Sequence, residues 1–410
     1  MKRMLIILHA LLLLSILATS TTTVAAKGSK SKSSYQTGFF RWRSADGDFA
    51  GWTTSGAALD SDGNLTLDLA TAVSETDPYA AGAYYGGNFY NGGSYQVGEA
   101  TSPVMTPDFS FNEAIASWNA DTPVGAWIET LFRVQLDGRW TKWYNLGVWA
   151  SGSETIQRHS VRLQGDSDGY VAVDTFVLSD KKATLAAYQL KFRLFSADGV
   201  VVPSLHNASL AYSTSPDKVD SLQPGNSDLW NTLLDVPECS QMVYTDGGEV
   251  WCSPTSTSMV LGYYGASGDD CETRVRAAVA GVYDWIYGGT GNWPFNTAYA
   301  ASLGFEGYVA RFTSLAQAEP WVAAGVPVIF SFGWGKNELT NAPVPSSGGH
   351  LAVLVGFDAD GNPIVNDPAA AADEDVRRTY LREELEPLWL ERSGGTVYLI
   401  YPAGAPVPDL

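Results

Sequence analysis

Residues 249–265, "EVWCSPTSTSMVLGYYG", set a cysteine directly ahead of a Ser-Pro pair and then run into small and apolar residues of helical character. Ser253 is a good N-cap, and Pro254 suits the first helical position because it has no N–H to lose and its φ is already fixed near the helical value. The stretch predicts a helix that opens at Ser253, with Cys252 just outside its amino terminus. Unpaired N–H groups and the positive end of the helix dipole favour a thiolate there. Two fates fit such a residue, a reactive nucleophile or a buried structural thiol.

Further along the chain, "TRVRAAVAGVYDWIYG", "NTAYAASLG" and "LAQAEPWVAAG" read as helices, with Pro320 breaking or starting the last one. "VPVIFSFGW", "HLAVLVGFDADGNPIVNDP" and "TVYLIYP" then read as strands. Helices followed by an antiparallel sheet make residues 230–410 an α+β domain. Residues 214–229, "TSPDKVDSLQPGNSDL", have the composition of a linker. Before it, residues 35–213 carry runs such as "GNLTLDL", "AWIETLFRVQLDG", "YVAVDTFVL" and "AAYQLKFRLFSADG", of period-two character and ending at turn signals. They predict an antiparallel β-sandwich of jelly-roll type.

The amino terminus reads as a secretory signal peptide over residues 1–26: Lys2 and Arg3, an apolar run from Leu5 to Leu17, and the small residues Val24-Ala25-Ala26. A spanning helix needs about 20 apolar residues, and this run is shorter. Residues 27–34, "KGSKSKSS", form a flexible polar lead. The expectation is a secreted protein that leaves the membrane once the signal is cut. The chain has 25 Lys+Arg against 44 Asp+Glu, and losing Lys2 and Arg3 makes it more acidic still. Such a surface repels phosphate backbones and disfavours nucleic acid as a partner.

Of four histidines, His9 falls in the signal and His159 and His206 in the β-rich part, so His350 is the one imidazole available to residues 230–410. It stands in "SSGGHLAVLVGF", at a strand start and after a glycine pair that would allow close approach of a neighbouring backbone. A cysteine and an imidazole in one domain are the elements of nucleophilic catalysis. "VNDP" offers Asp367 to orient the imidazole, with Asn366 beside it. A two-residue turn at Asp360-Gly361 would put His350 and Asp367 on one sheet face but four residues apart in register, roughly 13 Å at about 3.3 Å per residue. A longer loop or a bulge is then needed to bring them together. Gln241, on the approach to Cys252, could donate to a developing oxyanion.

"SQ" on the approach, "WCSPTSTSMVLGYYG", "GGHLAVLVGF" and "VNDP", in that order, resemble the cysteine peptidases related to bacteriocin-leader-processing enzymes, family thirty-nine of the cysteine class. The resemblance covers about Val236 to Pro402 and implies a papain-like fold. It implies Cys252 as nucleophile, His350 as base and acid, Asp367 as orienter and Gln241 as oxyanion donor. The family often has Gly where this chain has Ser253, and the spacing from Gln241 to Cys252 is long. No transporter motif follows, so double-glycine leader specificity is not implied.

Three cysteines leave one unpaired. If Cys252 is the nucleophile, Cys239 and Cys271 can pair; a Cys239–Cys252 or Cys252–Cys271 bond would abolish its chemistry. Without a CxxC pair, and with one histidine in the domain, a zinc site is not expected, and no cofactor is. In "GRWTKWYNLGVWA", Trp140, Trp143, Tyr144 and Trp149 are either core or a stacking face for carbohydrate or another cell-surface ligand. The whole reads as a secreted thiol hydrolase acting on peptide or protein through an acyl-enzyme. The alternatives are a non-catalytic binding or adhesion protein with a glycan-binding β-domain, and an amide hydrolase of peptidoglycan.

Overall fold

Alternation in the first half of the chain becomes two seven-stranded antiparallel sheets in the computed structural model, which describes residues 35–215, 222–266, 268 and 270–410. The signal peptide and polar lead expected over residues 1–34 lie outside the described residues, as does part of the expected linker. One sheet is built around Glu113–Asp121 and Ser204–Ser213, the other around Ala126–Leu136 and Leu185–Ser196. Trp118, Leu205 and Leu210 of the first and Ile128, Phe132 and Phe192 of the second are buried in one apolar cluster. "YVAVDTFVL" is a hairpin rather than a single strand: Gly169–Ala172 and Thr175–Leu178 pair, turning at Val173-Asp174. Val173 sits at φ 62°, a conformation that a β-branched residue adopts only under strain.

The aromatic stretch divides. Tyr144 and Trp149 are fully buried, with Trp149 packed 5.2 Å from Phe295 between ring centroids. Trp140 and Trp143 instead hold the Arg133 guanidinium between them, 4.4 Å from each ring, a cation–π arrangement.

In the second half, helices α1 (Cys252–Tyr263), α2 (Cys271–Val282), α3 (Trp293–Ser302), α4 (Leu315–Ala323) and α5 (Arg382–Ser393) accompany a third seven-stranded sheet. Its main strands are β1 (Phe305–Arg311), β2 (Val328–Trp334), β3 (Ser347–Phe357), β4 (Pro363–Asn366), β5 (Arg377–Thr379) and β6 (Thr396–Pro402), ordered β1-β6-β2-β3-β4-β5. Thr232–Leu233 also pairs with β3. The strands sort their side chains by period two. Ile329, Leu351, Val353, Tyr398 and Ile400 join the cluster with α1, α2 and α3. Phe330, Phe332, Ala352, Leu354 and Leu399 join the one with α4 and α5.

The first of these clusters also takes in buried side chains of both amino-terminal sheets. Polar contacts reinforce the junction: Asn119 Nδ2 donates to the Gly307 carbonyl at 2.7 Å, and Arg311 pairs with Glu113 at 2.7 Å. Two elements depart from the sequence patterns. Pro320 lies inside α4, where its missing N–H would have met the carbonyl of the half-buried Ala316. Helix α5, "REELEPLWLERS", hides its apolar stripe of Leu385, Trp389 and Leu390 among charges and Pro387.

Candidate active site

Helix α1 begins at Cys252 itself, with Trp251 as the capping residue. The N–H of Thr255 bonds the Trp251 carbonyl at 3.0 Å, so helical bonding starts earlier than the Ser-Pro signal indicated. Ser253 does not cap; its hydroxyl shares a 2.9 Å hydrogen bond with Tyr398. Pro254 remains in the first turn, where a missing N–H costs nothing. Cys252 is thereby set among the unpaired N–H groups of the helix start. It is a free thiol, because Cys239 and Cys271 form a disulfide.

His350 lies on β3, 4 % exposed, under the rings of Phe332 and Trp334. Its Nε2 meets Asp367 Oδ1 at 2.7 Å. That leaves the other ring nitrogen, Nδ1, for Cys252, whose side chain acts on the charge of the imidazole. Asp367 is wholly buried and fully satisfied. Besides His350, it accepts the Tyr380 hydroxyl at 2.7 Å and the Ala369 N–H at 2.9 Å.

Two single-residue adjustments in register make this contact. The β3–β4 hairpin closes with the five-residue loop 358–362, pairing Phe357 with Pro363, and a bulge follows between Leu354 and Gly356. The register ends at Val353 opposite Asn366, which brings Asp367 level with Ala352, two residues from His350 and not four. Diagonal neighbours at that offset lie within reach of long side chains. The loop is built by Asp358, whose Oδ1 accepts the N–H groups of Asp360 at 2.9 Å and Asn362 at 2.8 Å. Gly361 adopts φ 80°, a left-handed value that glycine takes without strain. The same Asp-x-Asp-Gly-Asn loop closes Leu59 onto Leu65 with the same bonds from Asp60.

Asn366 points elsewhere. Its Nδ2 donates to the Val236 and Pro237 carbonyls at 3.1 and 3.2 Å, anchoring the chain that leads towards Cys252. Gln241 is buried on that segment, its N–H on the Pro368 carbonyl and its side-chain amide on the Gly248 carbonyl, both at 2.8 Å. Its Oε1 has no hydrogen-bond partner among the described residues. Cys252, His350 and Asp367 are therefore brought together, while the Gln241 side chain is turned to Gly248. Gly348 and Gly349 are exposed, and a Cβ on either would meet nothing, but the Gly348 backbone does pack closely on the paired strand, its carbonyl oxygen 3.3 Å from where a Gly333 Cβ would stand. Tyr380, Phe332 and Trp334 were not singled out from the sequence, and nothing in "RRTYLREE" distinguishes Tyr380.

The electrostatics favour a charged pair. Burial pulls His350 towards neutrality, but the Asp367 charge and hydrogen bond, with the influence of Cys252, raise its pKa to about 10. Burial acts on Asp367 in the upward sense and is outweighed by His350, Tyr380 and the Ala369 N–H, which hold the carboxyl below its ordinary range. The imidazole is thus kept protonated beside a sulfur at a helix start, an arrangement suited to nucleophilic attack by thiolate.

Residues 38–213 match the family model described as the Peptidase C39 N-terminal domain, and residues 233–397 match that of the Peptidase C39 like family. No curated protein is similar enough to match. A solved structure described as a C39-like peptidase from Bacillus anthracis is similar at 18 % identity, over 42 % of this chain and 97 % of that one. Its TM-score of 0.30 is too low to bear on the fold.

Proposed function

Because both parts of the chain belong to the C39 peptidase family, we propose that it is a secreted cysteine peptidase working through Cys252, His350 and Asp367. The observation that carries this reading is one imidazole bonded to a buried carboxylate at 2.7 Å and influenced electrostatically by the free thiol of Cys252. In the proposed reaction, Cys252 Sγ adds to the substrate carbonyl and His350 gives its proton to the departing amine. Water, deprotonated by the now neutral imidazole, then releases the acyl group from sulfur. Asp367 holds the ring and offsets the charge it carries, and Tyr380 holds Asp367. The Cys252 N–H, in the first turn of α1, is the backbone candidate for oxyanion donor. Gln241 would supply its remaining N–H.

The Cys239–Cys271 bond supports this enzyme over a non-catalytic binding protein, since it leaves Cys252 free. It also suits an oxidising compartment, and no described helix is long and apolar enough to cross a membrane. We read residues 35–213 as a β-sandwich domain that buttresses the peptidase. Its aromatic pair Trp140 and Trp143 is already engaged by Arg133, which weakens the case for a carbohydrate stacking face there. Iodoacetamide labelling tests the site: Cys252 should be alkylated selectively in the native protein, and His350→Ala should slow the reaction at neutral pH by at least about tenfold. Peptide hydrolysis that survives Cys252→Ala would refute the assignment. Profiling on peptides and on peptidoglycan fragments separates proteolysis from wall-amide hydrolysis.

A further inference from the structure

A cavity of about 460 Å³ is lined from both halves of the chain. The 169–178 hairpin contributes Tyr170, Val173 and Asp174, and the other half contributes Tyr287, Gly291 and Trp293. Cys252, His350 and Asp367 do not line it, but two links tie it to the start of α1. Ser253 bonds Tyr398, whose buried hydroxyl lies within electrostatic reach of both Cys252 and Asp174. Thr290, adjoining Gly291, donates to the Val250 carbonyl at 3.3 Å, two residues before the thiol.

Asp174 is the unusual wall of this cavity. It is 5 % exposed, and its oxygens accept the Trp293 N–H at 2.7 Å and the Thr175 hydroxyl at 2.9 Å. Among the described residues no Lys, Arg or His side chain forms an ion pair with it, whereas Glu113, the cavity's other carboxylate, is matched by Arg311. Burial pushes its carboxyl up to about 6 despite the two hydrogen bonds. A buried carboxylate without a cation is costly to keep, and the strained Val173 beside it adds to that cost. A bound cation would offset the penalty, and the aromatic residues Tyr170, Tyr287 and Trp293 line the same cavity. The net charge of -19 draws cationic ligands towards the molecule. Lys181 and Arg392 also border the cavity, but at exposed positions where salt screens them.

We infer that this cavity is a substrate subsite formed jointly by the two halves, taking the side chain of a lysine or arginine near the scissile bond with Asp174 as its counter-charge. The inference rests on the peptidase reading above. The test uses the full chain and pairs of quenched peptides that differ only in lysine against norleucine, scanned through the positions flanking the scissile bond. At one position lysine should be favoured by about tenfold or more in kcat/KM, the scale of a hydrogen-bonded buried charge. Asp174→Asn should abolish that preference while Cys252 alkylation by iodoacetamide keeps its native rate. Equal cleavage of both peptides at every position, which needs no variant, would overturn the subsite, as would an Asp174→Asn protein that still prefers lysine. Those results leave the peptidase reading standing; failure to cleave any peptide, with Cys252 unreactive, removes both.

Discussion

Tyr380 donates a hydrogen bond from its hydroxyl to a carboxylate that already serves His350. A hydrogen bond to a charged group contributes about 1.5–3 kcal/mol, so Tyr380→Phe should lower unfolding stability by that order. It should also reduce kcat/KM several-fold as Asp367 loosens. Urea unfolding and steady-state kinetics check this, and a variant as stable and as active as the parent would show that the bond does no positioning. The charge on Asp367 has a different signature. His350 is held protonated up to about 10, so the stabilisation from its charged form is complete below the ordinary histidine value of about 6.5 and is lost as pH rises through about 10. The Asp367 contribution has the opposite sense: it is present above the ordinary carboxylate range and is lost as pH falls through the depressed value. Activity that needs the imidazolium should therefore persist into alkaline solution. Asp367→Asn should move the alkaline limb of the kcat/KM profile down towards about 6.5. An unmoved limb would mean that Asp367 does not set the charge on His350.

At the scale of elements, the β3–β4 hairpin decides whether a site exists. Parity alone places His350 and Asp367 on one face, and that much was legible in the spacing of 17 residues. The distance was not, because it depends on the loop closing at five residues and on the bulge at Leu354/Gly356. Deleting Ala359 should shift β4 by one residue and turn Asp367 to the other face. The expected result is loss of His350-dependent Cys252 alkylation, with a large fall in melting temperature. The disulfide acts at the same scale, closing a 32-residue separation between the Gln241 segment and the start of α2. Loop entropy gives it roughly 3–4 kcal/mol, so reductant should lower the melting temperature by several degrees, measured with Cys252 blocked. The cysteine box, the His350 strand and the free-thiol arithmetic could be read from the chain. Tyr380, α5 and β1 could not, since their roles arise from packing against distant strands or lie behind charge and proline.

Across the whole molecule, one apolar cluster takes in side chains of the first two sheets and of the face of the third sheet that carries α1. Trp149 of one half and Phe295 of the other meet in it. Residues 222–410 expressed alone would expose that surface, and the expected behaviour is aggregation or a broad, uncooperative melt. The full chain should show a single sharp calorimetric transition. Two well-separated transitions would indicate that the halves are thermodynamically independent.

That continuity also changes what a break in the chain would do. With Trp118, Trp149 and Phe295 interlocked and Arg311 seated on Glu113, packing and not the covalent connection keeps the halves in register. A chain broken between the two halves should therefore yield a nicked heterodimer that co-elutes as one species in native buffer. Two separately produced fragments, mixed during refolding, should reconstitute it, so that thiol reactivity becomes a readout of split-protein complementation.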